Sequence, residues 1–408
     1  MIIRKAFKFR LNTSPDIEIK MSQYAGNCRF LWNKALAVNL FKLENKQKLC
    51  YYQEFDFFSK LWKKSEEYGF LTLSPAQTLQ QTLKQLERAF KDAFDKNQPL
   101  KRMPTFKKRH SSSSFSFPQG FKIDNKGKRV FLPKIGWVNI RKSQEIVGKA
   151  KNITVSKKGK HWFVSIQVEQ TVKTPTHQSK SIVGGDLGVK CLITLSDNTV
   201  IKAINTDKQA QKIKVLQRKL AKKIKFSNNW QKLKEKITHQ HSKTANIRHD
   251  QLHKISTSLS KNHAIIVLED LKVKNMTKSS KGTVEQQGKM VKQKSGLNRV
   301  ILNQGWGMFR EMLKYKQAWC GGEVIFVDPK YTSQTCPICA HKSKENRLTQ
   351  ADFECVSCGY QDNADYVGAL NILARGHRVL ACGEHGISQL NEAGTCFVGD
   401  HKAPLVLN

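Results

Sequence analysis

Acidic residues are scarce in this chain. Only 32 Asp and Glu stand against 71 Lys and Arg, a formal net charge of +39 over 408 residues. Self-repulsion on that scale opposes compaction unless a polyanion neutralises it. Nucleic acid is the partner that fits, because each phosphate met by a cation releases a counterion. Long apolar runs are missing too. None approaches the ~20 residues that a helix needs to cross a bilayer, which excludes a spanning helix. The N-terminus, Met1-Ile-Ile-Arg-Lys-Ala-Phe-Lys-Phe-Arg10, alternates apolar and basic residues and lacks the continuous apolar core of a signal peptide. No internal repeat is present. Of ten cysteines, Cys28, Cys50, Cys191, Cys320, Cys382 and Cys396 are scattered. In a long chain without a secretion signal they read as reduced thiols, and the cytoplasm is the expected compartment.

What is present suffices for a folded protein. Hydrophobic residues make up 39% and charged residues 25%, which is ordinary for two or three domains with sizeable cores. Residues 2–11 alternate as a strand does. Ser14-Pro15 then starts a helix, Ser as N-cap and Pro in the first turn, and Ser74-Pro75 repeats the signal. Leu79, Leu83, Leu86, Phe90 and Phe94 follow on one helical face. Residues 14–98 are expected to be helical, with an aromatic patch at Tyr51, Tyr52, Phe55, Phe57 and Phe58. Short alternating runs at 115–117, 129–132, 137–140, 152–155 and 162–168 predict a small antiparallel β unit that the N-terminal strand can join. A polar linker at 172–180 follows. Strands are expected at 181–188, 190–195, 263–268 and 323–328, and a helix at 306–319. Residues 277–296, rich in Lys, Gln, Ser and Gly, read as a mobile loop, either a lid or a plain connection. Periodicity fades beyond residue 378, so 379–408 reads as a poorly ordered tail.

The sharpest signal is Cys336-Pro-Ile-Cys339, fifteen residues, then Cys355-Val-Ser-Cys358. Two C-x-x-C turns supply four thiolates for a tetrahedral Zn²⁺, and Gly359 suits the tight knuckle. With four protein ligands the site is closed and structural. Three acids stand at the edges of buried elements, where a lone carboxylate is costly. They are Asp186 between glycines, Glu269 after the apolar run Ile265–Leu268, and Asp365 before the small-residue run Gly368–Ile372. Three carboxylates from separate elements are what two hydrolytic Mg²⁺ ions need. Asp270 and Asp362 stand beside the favoured acids as rivals.

Gly184-Gly-Asp-Leu-Gly-Val-Lys190, Val267-Leu-Glu-Asp-Leu-Lys-Val-Lys-Asn-Met276 and the cysteine ribbon running into Asp365 and Ala369-Leu-Asn-Ile372 resemble the transposon-encoded TnpB family, relatives of the type V CRISPR nucleases. The resemblance is strongest from Ile182 to Ile372 and weaker at Phe30-Leu-Trp-Asn33 and Pro133–Val138. It implies an α/β fold plus a β unit. A RuvC-type, RNase H-like nuclease domain (178–330 and 360–378) would carry an inserted zinc ribbon (331–359). A barrel-like wedge domain (1–13 and 99–172) would carry an inserted helical recognition domain (14–98). Carried over residue by residue, Asp186, Glu269 and Asp365 become the catalytic acids and Mg²⁺ ligands. Cys336, Cys339, Cys355 and Cys358 become the Zn²⁺ ligands. The family pattern has Asn and then Ala from two residues past the third acid, where this chain has Val367 and Gly368.

The implied function is Mg²⁺-dependent, RNA-guided cleavage of double-stranded DNA beside a short flanking motif. The guide RNA would come from the transposon end, and the particle would be a monomeric ribonucleoprotein without a membrane partner. A nuclease-inactive RNA-guided repressor and a DNA transposase are the rival readings. The transposase is ranked last, because no tyrosine nucleophile stands in an H-x-H setting. Residues 207–250, with 13 Lys and Arg against 3 acids, read as a basic helical hairpin. Arg218, Lys219, Lys222, Lys223 and Lys225 are its candidate strip against a guide–target duplex, read by backbone shape. A solvated helix face is the plain alternative. Tyr52, Gln77, Gln80 and Gln81 are candidates for base contacts, since amides pair with base edges, though the tyrosine fits a core equally.

Overall fold

A computed structural model describes residues 1–98, 100–109, 113–347 and 349–382. The chain divides into two compact units, Met1–Lys173 and Thr174–Asn408.

In the first unit β1 (Ile2–Asn12) buries Ile3, Phe7, Phe9 and Leu11 on one face and places Arg4, Lys8 and Arg10 on the other. Ser14 caps α1 (Pro15–Glu44), its side chain accepting from the Ile17 N–H. Next come α2 (Tyr52–Lys64) and α3 (Ala76–Phe94). On α3 the side chains of Leu79, Leu83, Leu86 and Phe90 are each at most 1% exposed, and each contributes about 1.5–3 kcal/mol by leaving water. Phe94, placed on the same face by the sequence pattern, lies past that core and is 53% exposed. Ser74 does not cap α3 either. The cap position is Pro75, and the Ser74 hydroxyl accepts the Asn27 amide at 2.8 Å.

The strands β2 (Ser114–Phe117), β3 (Lys122–Asp124), β4 (Arg129–Leu132), β5 (Gly136–Arg141), β6 (Lys149–Lys158) and β7 (His161–Thr171) then form one antiparallel sheet with β1. Its order is β2-β6-β7-β1-β5-β4-β3. The N-terminal strand thus sits in the centre and the helices intervene between it and the rest. The barrel-like unit expected from the sequence is a half-barrel, one seven-stranded sheet whose short edge strands β2 and β3 stand at opposite ends of its order.

The second unit is built on a mixed sheet of order β10-β9-β8-β11-β12. Its strands are β8 (Ile182–Asp186), β9 (Cys191–Leu195), β10 (Val200–Lys202), β11 (Ile265–Glu269) and β12 (Glu323–Val327). Between β10 and β11 run α4 (Asp207–Ala221) and the long α5 (Asn228–Asn262). Past β11 come the short α6 (Val273–Met276), α7 (Val291–Gln304) and α8 (Trp306–Cys320). The expected mobile loop is therefore shorter than its composition suggested. Helix α7 starts at Val291, and Lys294 and Asn298 tie it back to the Met276 and Thr277 carbonyls. A small hairpin, β13 (Asp352–Glu354) and β14 (Gln361–Asn363), precedes α9 (Ala364–Ala381). That helix outlasts the point where periodicity fades. The remainder of the expected tail, 383–408 with Cys396, lies outside the described residues.

Candidate active site

Asp186 ends β8, and Glu269 ends β11. The two strands are parallel neighbours with Gly185 opposite Leu268, so the next residue on each is an acid. Adjacent strands run ~4.8 Å apart, and paired positions face the same side. Register alone therefore sets the two carboxylates side by side at the strands' carboxyl ends. The third acid comes from helix α9. Asn363 caps it, accepting the Asp365 N–H at 2.9 Å and the Tyr366 N–H at 3.4 Å. Asp365 sits in the first turn, where the helix dipole favours an anion.

Two glycines let α9 reach the acids. A Cβ on Gly184 would lie 2.4 Å from the Ala369 carbonyl oxygen and 2.6 Å from the Leu373 nitrogen, so strand and helix meet backbone to backbone. A Cβ on Gly368 would lie 3.1 Å from Asp186 Oδ2. The position where the family pattern has Ala is thus the wall of the Asp186 carboxylate pocket. Val367, the other departure, is fully buried and packs with Cys336, Phe353, Cys355 and Ala364.

The charges feel one another. Burial pushes the Asp186 carboxyl up to about 7, helped by the charges of Glu269 and then Asp365, while Arg347 and the Leu187 N–H act the other way. Burial also raises Glu269, whose Oε1 accepts the Thr332 hydroxyl at 2.6 Å and which Arg375 partly offsets. The Arg347 guanidinium stands 3.7 Å from Asp365 Oδ1. The rivals are occupied elsewhere. Asp270 is exposed and paired with Arg310 at 2.7 Å, and Asp362 is exposed and accepts the Tyr360 hydroxyl at 2.8 Å. Carboxylate oxygens suit a hard divalent cation.

Among the described residues, Cys336, Cys339, Cys355 and Cys358 form the one set of three or more metal-ligating side chains with all ligand atoms within 4.8 Å of one another. The Cys336–Cys358 and Cys339–Cys355 sulfurs are 3.6 and 3.5 Å apart. Those separations are too long for a disulfide. They approach the ~3.8 Å edge of a tetrahedron with ~2.3 Å zinc–sulfur arms. Each knuckle closes on a left-handed residue, Ala340 at φ 58° and Gly359 at φ 73°. Glycine takes that conformation freely, whereas alanine costs about 1–2 kcal/mol. Among the described residues, the three carboxylates form no such tight set.

Arg218, Lys219, Lys222, Lys223 and Lys225 are all exposed, at the end of α4 and in the turn to α5. Sequence reasoning missed their aromatic neighbours. Phe226 is 67% exposed and its ring lies 5.5 Å from that of Trp230. Lys225 stands over the first ring and Lys234 over the second. Two aromatics spaced four apart among lysines were the available signal. In the first unit Tyr52 is half-buried against the core with Lys84 over its ring. Gln80 donates to Asp56 at 3.2 Å, and Gln77 keeps a buried Oε1 without a hydrogen-bond partner. Gln81 is half-buried. No helix among the described residues is long and apolar enough to cross a membrane.

Three family models match the chain: a "Helix-turn-helix domain" over 1–48, the OrfB_IS605 "Probable transposase" over 165–280, and a "Cas12f1-like, TNB domain" over 306–372. In the structure 1–48 holds one strand and one long helix. Among curated proteins, "Putative RNA-guided DNA endonuclease InsQ" of Escherichia coli K12 is 51% identical over 381 residues, covering 93% of this chain and 94% of that protein. A "Putative RNA-guided DNA endonuclease" of Streptomyces pristinaespiralis is 30% identical over 387 residues, covering 94% and 92%. Among solved structures, the Cas12f1 chain of a Cas12f1-sgRNA-target DNA complex aligns over 91% of this chain and 99% of its own, with a TM-score of 0.55 and 13% identity, a likeness of fold. With identity of that order to InsQ along nearly the full length of both proteins, the chain belongs to the TnpB/OrfB_IS605 family.

Proposed function

We propose that this chain is a transposon-encoded, RNA-guided DNA endonuclease whose acids Asp186, Glu269 and Asp365 hold two Mg²⁺ ions. One observation carries the reading: Asp186 bears the charges of both other acids, from three separate elements, in a protein otherwise crowded with cations. The names of its relatives support the RNA guide and the DNA substrate. We read the second unit as a RuvC-type, RNase H-like domain with residues 331–359 as its zinc ribbon. We read 1–13 with 99–172 as a wedge domain and 14–98 as a recognition domain. The guide RNA would derive from the transposon end and the particle would be a monomeric ribonucleoprotein.

When bound, the Mg²⁺ pair would supply an activated water and stabilise the leaving oxygen of the phosphodiester, leaving a 5′-phosphate. The protein's part is to orient and to neutralise. Asp186 and Glu269 are fixed by strand register, and Asp365 by the Asn363 cap. Arg347 stands close enough to Asp365 to limit the mutual repulsion of the acids. The four thiolates would hold one structural Zn²⁺, closed to substrate.

The test is cleavage. Protein purified with its RNA, given a plasmid matched to the sequenced guide and Mg²⁺, is expected to linearise it, and Asp186→Ala with the same RNA is expected to leave it intact. Cutting by the Asp186→Ala protein would sink the proposal. A wild-type complex that binds but never cuts, across varied flanking motifs, would favour the repressor. Val367 and Gly368 depart from the family pattern, yet Val367 is packed in the ribbon core and the three acids are intact.

A further inference from the structure

Glu269 is held by a residue that no strand of its sheet supplies. Thr332, 4% exposed, lies in the strap of residues 328–335 that leads from β12 to the first cysteine. Its hydroxyl lies 2.6 Å from Glu269 Oε1 and 3.1 Å from the Pro329 carbonyl. The hydroxyl has a single proton to divide between them. The shorter bond, to an acceptor that is charged when ionised, is the stronger.

The strap is gripped from two sides. From α9, Asn371 spends both amide hydrogens on the Thr332 and Thr335 carbonyls, at 2.8 and 2.7 Å. Arg375 donates to the Asp328 and Lys330 carbonyls. From the ribbon, the wholly buried Asn346 donates to the carbonyls of Gln334 and His341, at 3.0 and 3.1 Å. His341 in turn accepts the Cys336 N–H at 2.9 Å. Hydrogen bonds, joined by the covalent backbone of the strap, therefore link the cysteine cluster to one carboxylate.

We propose that Thr332 is a positioning residue for Glu269, and that Asn346 and Asn371 make the strap a link by which the metal at the four cysteines tunes divalent-cation binding at the acids. The inference rests on the reading of the acids given above. A hydroxyl fixed this way sets the carboxylate rotamer before a cation arrives, so its loss should weaken cation binding more than the maximal rate. Outer partners of metal ligands typically change affinity by about 10–100-fold.

Mn²⁺ titrations of the protein–RNA complex, followed by electron paramagnetic resonance and corrected with the Asp186→Ala complex for ions held by RNA, give a readout separate from cleavage. Thr332→Val is expected to weaken the corrected Mn²⁺ binding by about 10–100-fold. It should raise the Mg²⁺ concentration for half-maximal cleavage while sparing the rate at saturation. Thr332→Ser should restore both. Stripping the cysteine-bound metal from the wild-type complex should weaken Mn²⁺ binding in the same direction. Thr332→Val binding like wild type, or Thr332→Ser as weak as Thr332→Val, would overturn the positioning role. Unchanged Mn²⁺ binding after stripping would overturn the link. If Asp186→Ala binds as much Mn²⁺ as wild type, the reading of the acids fails instead.

Discussion

At the scale of single residues, the site is shaped as much by what Gly368 leaves out as by what the acids bring. Gly368→Ala places a methyl 3.1 Å from Asp186 Oδ2, so the carboxylate must give by a few tenths of an ångström. Because the family pattern carries Ala here, the initial cleavage rate of Gly368→Ala on a matched plasmid is expected to stay within about 10-fold of wild type, with guide RNA binding unchanged. Asp186 also makes stability depend on pH. Its folded value of about 7 stands above the ordinary 3.8, so between those values the folded protein holds a proton that the unfolded chain releases. Stability of the metal-free protein should therefore be greatest below about 4 on this account and fall as pH rises toward 7. Asp186→Asn carries no such proton. Melting temperatures across that window, wild type against Asp186→Asn without divalent metal, should diverge as pH rises, with the variant the more stable. Each kcal/mol relieved corresponds to about 2–4 °C in a unit of this size.

At the scale of elements, the decisive contact is between β8 and α9. Gly184 permits it, and Gly184→Ala would drive a Cβ into the Ala369 carbonyl and the Leu373 nitrogen, which cannot swing aside as a side chain would. A loss of more than about 4 kcal/mol is expected, seen as insoluble protein or loss of the cooperative melting transition. Gly296→Ala, inside α7 where an added methyl meets nothing within 4 Å, should by contrast be neutral or stabilise by up to about 1 kcal/mol. The end of β11 was legible because its apolar run stops at an acid, whereas the strand expected to run to residue 188 ends at Asp186. The start of α7 was not legible. Its residues look like a linker, and the bonds that hold it, from Lys294 and Asn298 to carbonyls 18 and 21 residues away, leave no local pattern.

At the scale of the whole molecule, a formal charge of +39 makes the protein a sensor of ionic strength. Binding to RNA and to target DNA should weaken linearly in the logarithm of salt concentration. If Arg218, Lys219, Lys222 and Lys223 each meet a duplex phosphate, replacing all four with Ala should lower the slope by about 3–4. Filter binding across a salt series measures it, and an unchanged slope would mark these cations as a solvated face. Phe226→Ala with Trp230→Ala should leave the slope alone while lowering affinity at every salt concentration, since stacking carries no counterion.

Composition, the paired cysteines and the three acids at the ends of apolar runs were determined by the sequence, because each is a local pattern of residue type and spacing. Charge named the partner class, and thiolate spacing named a tetrahedral site. Tertiary structure alone decided that strand register sets Asp186 beside Glu269, that Gly368 walls the first, and that Thr332 holds the second. Thr332 and Glu269 are 63 residues apart, and nothing in either neighbourhood points to the other. Such pairings arise only when distant elements pack, because a hydrogen bond or a close approach depends on where backbones meet in space.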